Sequence, residues 1–224
     1  MNAHSIVARK PELEHFLSTQ SNLPDVICVQ ESLLNRNIPF NIAGYRTERN
    51  DRESGRGGGV ATFIRSNLSY TRLPNPTSLE ALVIRVKLQS GDKTLVNVYH
   101  TPNSQLNEEA YRQLFQLFSL DAIILGDLNA HSYLFGVAKS DSRGRLLEDL
   151  IENHNMVVLN TGAGTYVHHS GVISHLDVAM IPWVVIICQL SSNFVIQLCD
   201  RILQCHTGHI AELVGISSKP TAND

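Results

Sequence analysis

Residues 122–131 read AIILGDLNAH. The apolar run is short, ends at Gly126, and is followed by Asp127 and Asn129 set among apolar neighbours. Such a run reads as a strand without a solvent face, and alternate residues at its end can point to the same side. The segments around it follow the same pattern. DVICVQ (25–30), GVATFIR (59–65), ALVIRVKL (81–88), TLVNVY (94–99) and MVVLN (156–160) are predicted strands, with GDK (91–93) as a tight hairpin signal. Helical spacing joins Leu13, Phe16 and Leu17, in a helix expected to begin near Pro11. A second helix is expected over 107–118, capped by Asn107. A third over 143–154 is capped by Ser142 and carries the stripe Leu146, Leu147, Leu150 and Ile151. Strands linked by both helices and hairpins imply a layered α/β sandwich with mixed sheets.

Residues 1–182 are expected to form one domain. Residues 183–224 show neither clear alternation nor helical spacing and read as a divergent tail. Both ends read as cut, because the chain opens almost at a helix, with no strand before it.

Composition narrows the classes. With 224 residues, 43% hydrophobic and 17% charged, the chain can bury a core and is neither a disordered tail nor a coiled coil. A mean hydropathy of -0.05 excludes a polytopic membrane protein. A net charge of -3 excludes binding a polyanion by electrostatics alone, so such contact needs a local patch or a bound cation. Cys28, Cys188, Cys199 and Cys205 form no CxxC pair, and no signal-peptide pattern opens the chain. A reduced, soluble, intracellular protein is expected.

Polar residues gather at strand ends. Glu31 follows VICVQ, Tyr99 closes LVNVY, and Asp177 sits in SHLDVAM. With Asp127 and Asn129 they would form an oxygen-rich pocket suited to Mg²⁺. Taken singly, Glu31 and GDLN are turn or cap residues and Tyr99 is a half-buried core phenol. Asp177, between Leu176 and Val178, needs a partner if buried. GRGGG (55–59) lacks the GK[ST] of a phosphate loop and leads into a strand, so it reads as a turn. Arg46, Arg49, Arg52 and Arg56 cluster in that loop as candidates for gripping flanking phosphates, although Glu48, Asp51 and Glu53 interleave with them. Cys199, Cys205, His206 and His209 fit no zinc spacing.

In one order the chain carries VICVQES, GRGGGVATFIR, VNVYHTPN, ILGDLNAHSYLFG, SRGRLLEDLIENHNMVVLNTGAGTY and SHLDVAM. This text resembles the endonuclease/exonuclease/phosphatase family, most closely the endonuclease domain of non-LTR retrotransposons, over roughly residues 2–182. The resemblance implies a four-layer sandwich of two β-sheets flanked by helices. It also implies hydrolysis of a DNA phosphodiester with Mg²⁺, or Mn²⁺ in its place, leaving a 3′-hydroxyl that primes reverse transcription. DNA is the implied partner, a reverse transcriptase domain belongs to the parent element, and the nucleus is the implied compartment. Carried over by motif, Glu31 binds the metal with Asn2 nearby, and Asp127 is the base or orienter for water. Asn129 holds a phosphate oxygen, Tyr99 donates to the phosphate, and Thr165 contacts the substrate backbone. The acid matching Asp177 hydrogen-bonds a catalytic histidine. The family pattern closes with a Ser-Asp-His motif that this sequence lacks. Weak or absent activity is the expectation, with a small-phosphoester enzyme of the same fold and a non-catalytic remnant as alternatives.

Overall fold

The computed structural model describes residues 2–53, 57–88, 91–102, 104–116, 122–159, 166–167, 173–174, 177–182 and 215–216. Its helices are α1 (Ile6–Thr19), α2 (Glu108–Gln116) and α3 (Ser142–Asn153). The first strands are β1 (Val26–Gln30), β2 (Tyr45–Asn50), β3 (Val60–Arg65), β4 (Tyr70–Leu73), β5 (Glu80–Leu88), β6 (Gly91–Tyr99) and β7 (Ala122–Asp127). The remainder are β8 (Met156–Val158), β9 (Tyr166–Val167), β10 (Ile173–Ser174), β11 (Asp177–Pro182) and β12 (Gly215–Ile216). One sheet has the order β12-β1-β3-β2, another β4-β5-β6-β7-β11-β8, and β9 pairs with β10. In the six-stranded sheet β6 and β7 run parallel, and the chain crosses between them through α2, as a parallel pair requires.

The apolar runs lack a polar face because each sheet is covered on both sides. Along β1, Val26 and Cys28 point into the space between the sheets, whereas Ile27 and Val29 pack with Ile6, Leu13 and Leu17 of α1. Along β7, Ile123 and Leu125 join the inter-sheet core, and Ile124 packs with Leu114 of α2 and Leu147 of α3. The layering is therefore helix, sheet, sheet, helix, as the family resemblance implied. Cys28 is 1% exposed, and burial pushes its thiol up to about 11, so it behaves as a small core residue. Asn97 pins the two sheets together. Its side chain donates to the carbonyls of Val29 and Ala61 and accepts from Gln30 Nε2 at 2.6 Å.

Four local expectations are corrected. Helix α1 begins at Ile6, with Pro11 inside it, because Ile6 is fully buried under the first sheet and draws in an extra turn. Glycine, aspartate and lysine 91–93 lie within β6, where Leu88 faces Gly91, so the hairpin turn comes earlier. Asp141, not Ser142, caps α3, its carboxylate accepting from Gly144 N at 2.7 Å; an anion at a helix start also meets the helix dipole. Arg46 and Arg49 belong to β2 rather than to a loop. Asn107 does cap α2, accepting from Ala110 N at 3.1 Å. Among the described residues, no helix is long and apolar enough to cross a membrane.

Candidate active site

Register brings the predicted polar residues into one row. Across the six-stranded sheet Glu80 faces Tyr99, Tyr99 faces Asp127, and Asp127 faces Asp177. These positions close β6 and β7 and open β11, so the row lies along one edge of the sheet. Glu31 comes from the other sheet, just past β1, and two hydrogen bonds join the halves. Tyr99 donates to Glu31 Oε1 at 2.5 Å, and Asn2 Nδ2 donates to Asp127 Oδ2 at 2.8 Å.

Each carboxylate is held by donors. Asp127 is 1% exposed and accepts from Asn129 N at 2.9 Å through Oδ1. Burial raises the Glu31 carboxyl, but hydrogen bonds from Tyr99, His4 and Asn2 outweigh it and hold the group below the usual range. Burial, reinforced by Glu31, pushes the Tyr99 phenol far up, so it remains a donor at neutral pH. Asn129 Nδ2 donates to the His100 carbonyl at 3.0 Å, which leaves the amide's second N–H for another acceptor.

Backbone strain collects at the same place. Among the described residues, six non-glycine positions have positive φ: His4, Ser5, Glu31, Leu33, Asn129 and Asn155. The first five belong to the segments that carry Asn2, Glu31 and Asp127. Left-handed backbone in such residues persists only where surrounding contacts over-determine it, and it concentrates at functional sites.

Glu80 and Thr101, beside the site, were not singled out by sequence reasoning, whereas the arginine cluster was. Arg52 donates to Glu80 and to Thr101 Oγ1, and its guanidinium lies 5.9 Å from the Tyr99 ring centre. Arg49 pairs with Asp51, and Arg46 stacks on Tyr70 while donating to the Leu68 carbonyl. The arginine cluster thus serves internal pairs at three of its four positions. Arg56 and Thr165 lie outside the described residues, as do Cys199, Cys205, His206 and His209. For Asp177 the backbone register is described.

Beneath the site lies His100, 8% exposed, its Nδ1 hydrogen-bonded with Tyr111 Oη at 2.5 Å. Burial, then the Arg143 charge, lowers its pKa from 6.5 to about 4. Between these values the unfolded chain binds the proton and the folded chain does not, so folding loses stability as pH falls. The stability is fully present above pH 6.5 and drops by about 3 kcal/mol on acidification to pH 4. Urea midpoints measured across this window should fall less steeply in His100→Gln than in the wild type. Parallel acid limbs would contradict this account.

The donor set suits a divalent cation. Among the described residues no three His, Cys, Asp or Glu side chains converge. Glu31 and Asp127 approach from opposite sheets with amides of Asn2 and Asn129 beside them, and Mg²⁺ is commonly held by one or two carboxylates with water and phosphate completing its shell.

These strands and this row define a chain of the endonuclease/exonuclease/phosphatase fold. The endonuclease domain of TRAS1, a telomere-specific non-LTR retrotransposon, superposes with a TM-score of 0.63 at 19% identity, covering 78% of each chain. The APE2 catalytic domain of Xenopus laevis superposes at 0.56 with 18% identity, covering 80% of each. Residues 94–186 match the family described as Endonuclease-reverse transcriptase. The RNA-directed DNA polymerase from mobile element jockey of Drosophila funebris is 27% identical over 166 residues, covering 73% of this chain and 18% of its own length. The probable RNA-directed DNA polymerase from transposon X-element of Drosophila melanogaster is 28% identical over 172 residues, with the same coverage. The chain therefore spans less than a fifth of the curated relatives it matches.

Proposed function

We propose that this chain is a metal-dependent DNA endonuclease domain whose cleavage leaves a 3′-hydroxyl for reverse transcription, and that its rate is low. The supporting observation is the junction of Glu31 from one sheet with Tyr99 and Asp127 from the other. When bound, Mg²⁺ stabilises charge on the phosphate and lowers the pKa of coordinated water. Glu31 holds the cation. Asp127, fixed through both oxygens, orients water and accepts its proton. Asn129 presents its remaining N–H to a phosphate oxygen, and the Tyr99 hydroxyl donates where charge develops. The cation also reconciles a net charge of -3 with a polyanionic substrate. DNA as substrate carries with it a nuclear site of action.

The low rate follows from the sequence, which has no Ser-Asp-His motif. A missing general acid–base group lowers rates by about 10²–10⁴. Nicking of supercoiled plasmid is the test. Slow nicking with Mg²⁺ is expected, abolished by EDTA and by Asp127→Ala, and slower by about 10²–10⁴ than that of the TRAS1 endonuclease domain. Wild-type nicking no faster than Asp127→Ala would overturn the catalytic reading and leave a remnant. Faster turnover of an inositol phosphate than of plasmid would overturn DNA as the substrate.

A further inference from the structure

We propose that the turn after Asn129 is a docking surface for duplex DNA beside the site, with the Tyr133 ring packed against a sugar and base and with Lys139 and Arg145 on flanking phosphates. This rests on the endonuclease reading above and names the surface that holds the flank of the substrate. A chain with a net charge of -3 needs a local patch or a bound cation to hold a polyanion, and three of the four clustered arginines serve internal pairs. From Asn129 to Leu147 the balance reverses, with Lys139, Arg143 and Arg145 set against Asp141 alone. Lys139 and Arg145 are exposed, whereas Asp141 is occupied by His131 Nδ1 at 3.1 Å and Gly144 N at 2.7 Å. Arg145 Nη1 donates to the Ser140 carbonyl at 2.9 Å, which lays its guanidinium over the turn.

Tyr133 is the most exposed large hydrophobic residue among those described, at 63%. Isolated apolar side chains are ordinary on a protein surface, but this one stands on a fixed mount. Ser132 before it and Phe135 two residues on are fully buried. Ser132 Oγ accepts from Leu134 N at 3.0 Å and donates to Glu148 Oε1 at 2.5 Å, and Tyr133 N donates to Ser140 Oγ at 3.2 Å. The backbone behind the ring is thus ordered in advance, and a tyrosine has few rotors to freeze, so contact costs little entropy.

Position joins this surface to the site. Four residues span at most about 14 Å, so Tyr133 lies within about four base-pair rises of Asn129. Arg143, between Lys139 and Arg145 in the chain, donates to the Asn129 carbonyl at 2.8 Å and fixes the basic pair against the site loop. Sugar and base faces are present in every sequence, and phosphates likewise, so the surface grips the duplex without reading it.

Duplex binding by the full chain, measured by fluorescence anisotropy in EDTA over a range of NaCl concentrations, is the test, because chelation removes the cation and leaves the patch. Combining Lys139→Gln with Arg145→Gln should flatten the slope of log affinity against log salt by about two. Lys87→Gln, an exposed site at the other end of β5 from Glu80, should flatten it by well under one. Tyr133→Ala should weaken binding by about tenfold with the slope unchanged, and Tyr133→Phe should bind as the wild type does. No binding by the wild type, a double variant no flatter than Lys87→Gln, or equal losses in Tyr133→Phe and Tyr133→Ala overturns the surface. So does a Tyr133→Ala affinity within about twofold of the wild type. Plasmid nicking with Mg²⁺ separates this from the reading beneath it. Nicking by a chain that fails to bind in EDTA removes the surface and keeps the endonuclease. Binding that depends on these residues in a chain that never nicks keeps the surface and removes the endonuclease.

Discussion

Gly126→Ala is expected to destabilise the fold by at least about 4 kcal/mol, or to prevent folding. Gly126 stands inside β7 and faces Val98 of β6 in the parallel ladder. A methyl group there would lie 1.9 Å from the Val98 carbonyl oxygen and 2.8 Å from its carbon. Both are backbone atoms of a central strand and have no rotamer to change. Relief requires β6 and β7 to separate, which breaks the ladder next to Asp127 and Tyr99. The glycine before the aspartate is therefore a packing requirement, not a turn residue. Gly144 faces the same limit, since a methyl group would come within 1.7 Å of the His131 carbonyl oxygen. Urea denaturation followed by circular dichroism measures the effect, and a loss below about 1 kcal/mol would show that the strands part easily.

Arg143→Met is expected to destabilise the protein by about 3 kcal/mol and to loosen both site loops at once. The Arg143 guanidinium, 7% exposed, donates to the carbonyls of Leu128 and Asn129 at 2.9 and 2.8 Å. Its other nitrogen reaches the Thr101 and Ser104 carbonyls at 3.4 and 3.2 Å. One side chain from α3 thus ties the loop after β7 to the loop after β6. Methionine fills similar space and leaves those carbonyls without their donor. Arg143→Lys should restore less than half of the loss, because an ammonium is a compact charge and cannot span both loops as a planar fork does. His100 gives an independent readout. Removing the Arg143 charge takes away one of the two influences that lower its pKa, so its titration should move up toward the ordinary value. No such movement, with stability unchanged, would mean that the loops hold themselves.

Local chemistry made the layers and most strands legible. A strand such as 122–127, apolar up to Asp127, needs cover on both faces, and residues of β1 and β7 alternate between the inter-sheet core and the helix-covered faces. Asp127, Tyr99 and Glu31 were legible as polar residues at strand ends. Segments whose state depends on a neighbour were not. Strand β2, YRTERN, carries no apolar pattern and exists because it pairs with β3 over six residues. The ladder fixed the β5–β6 register with Leu88 opposite Gly91, which the turn signal at 91–93 had placed differently. His4 and Arg143 were written in the motifs NAHS and SRGRLL, but neither motif names their partners.

By itself the sequence determined a layered α/β sandwich with mixed sheets, because strands joined by both helices and hairpins alternate along it, while the helix, sheet, sheet, helix order was implied by its resemblance to the endonuclease/exonuclease/phosphatase family. It also determined which strand ends are acidic. Only the tertiary structure decided that Asn2 meets Asp127 across 125 residues and that Tyr99 meets Glu31 across 68. Contacts that distant depend on strand order and register within each sheet and on how the two sheets pack, which no single segment encodes.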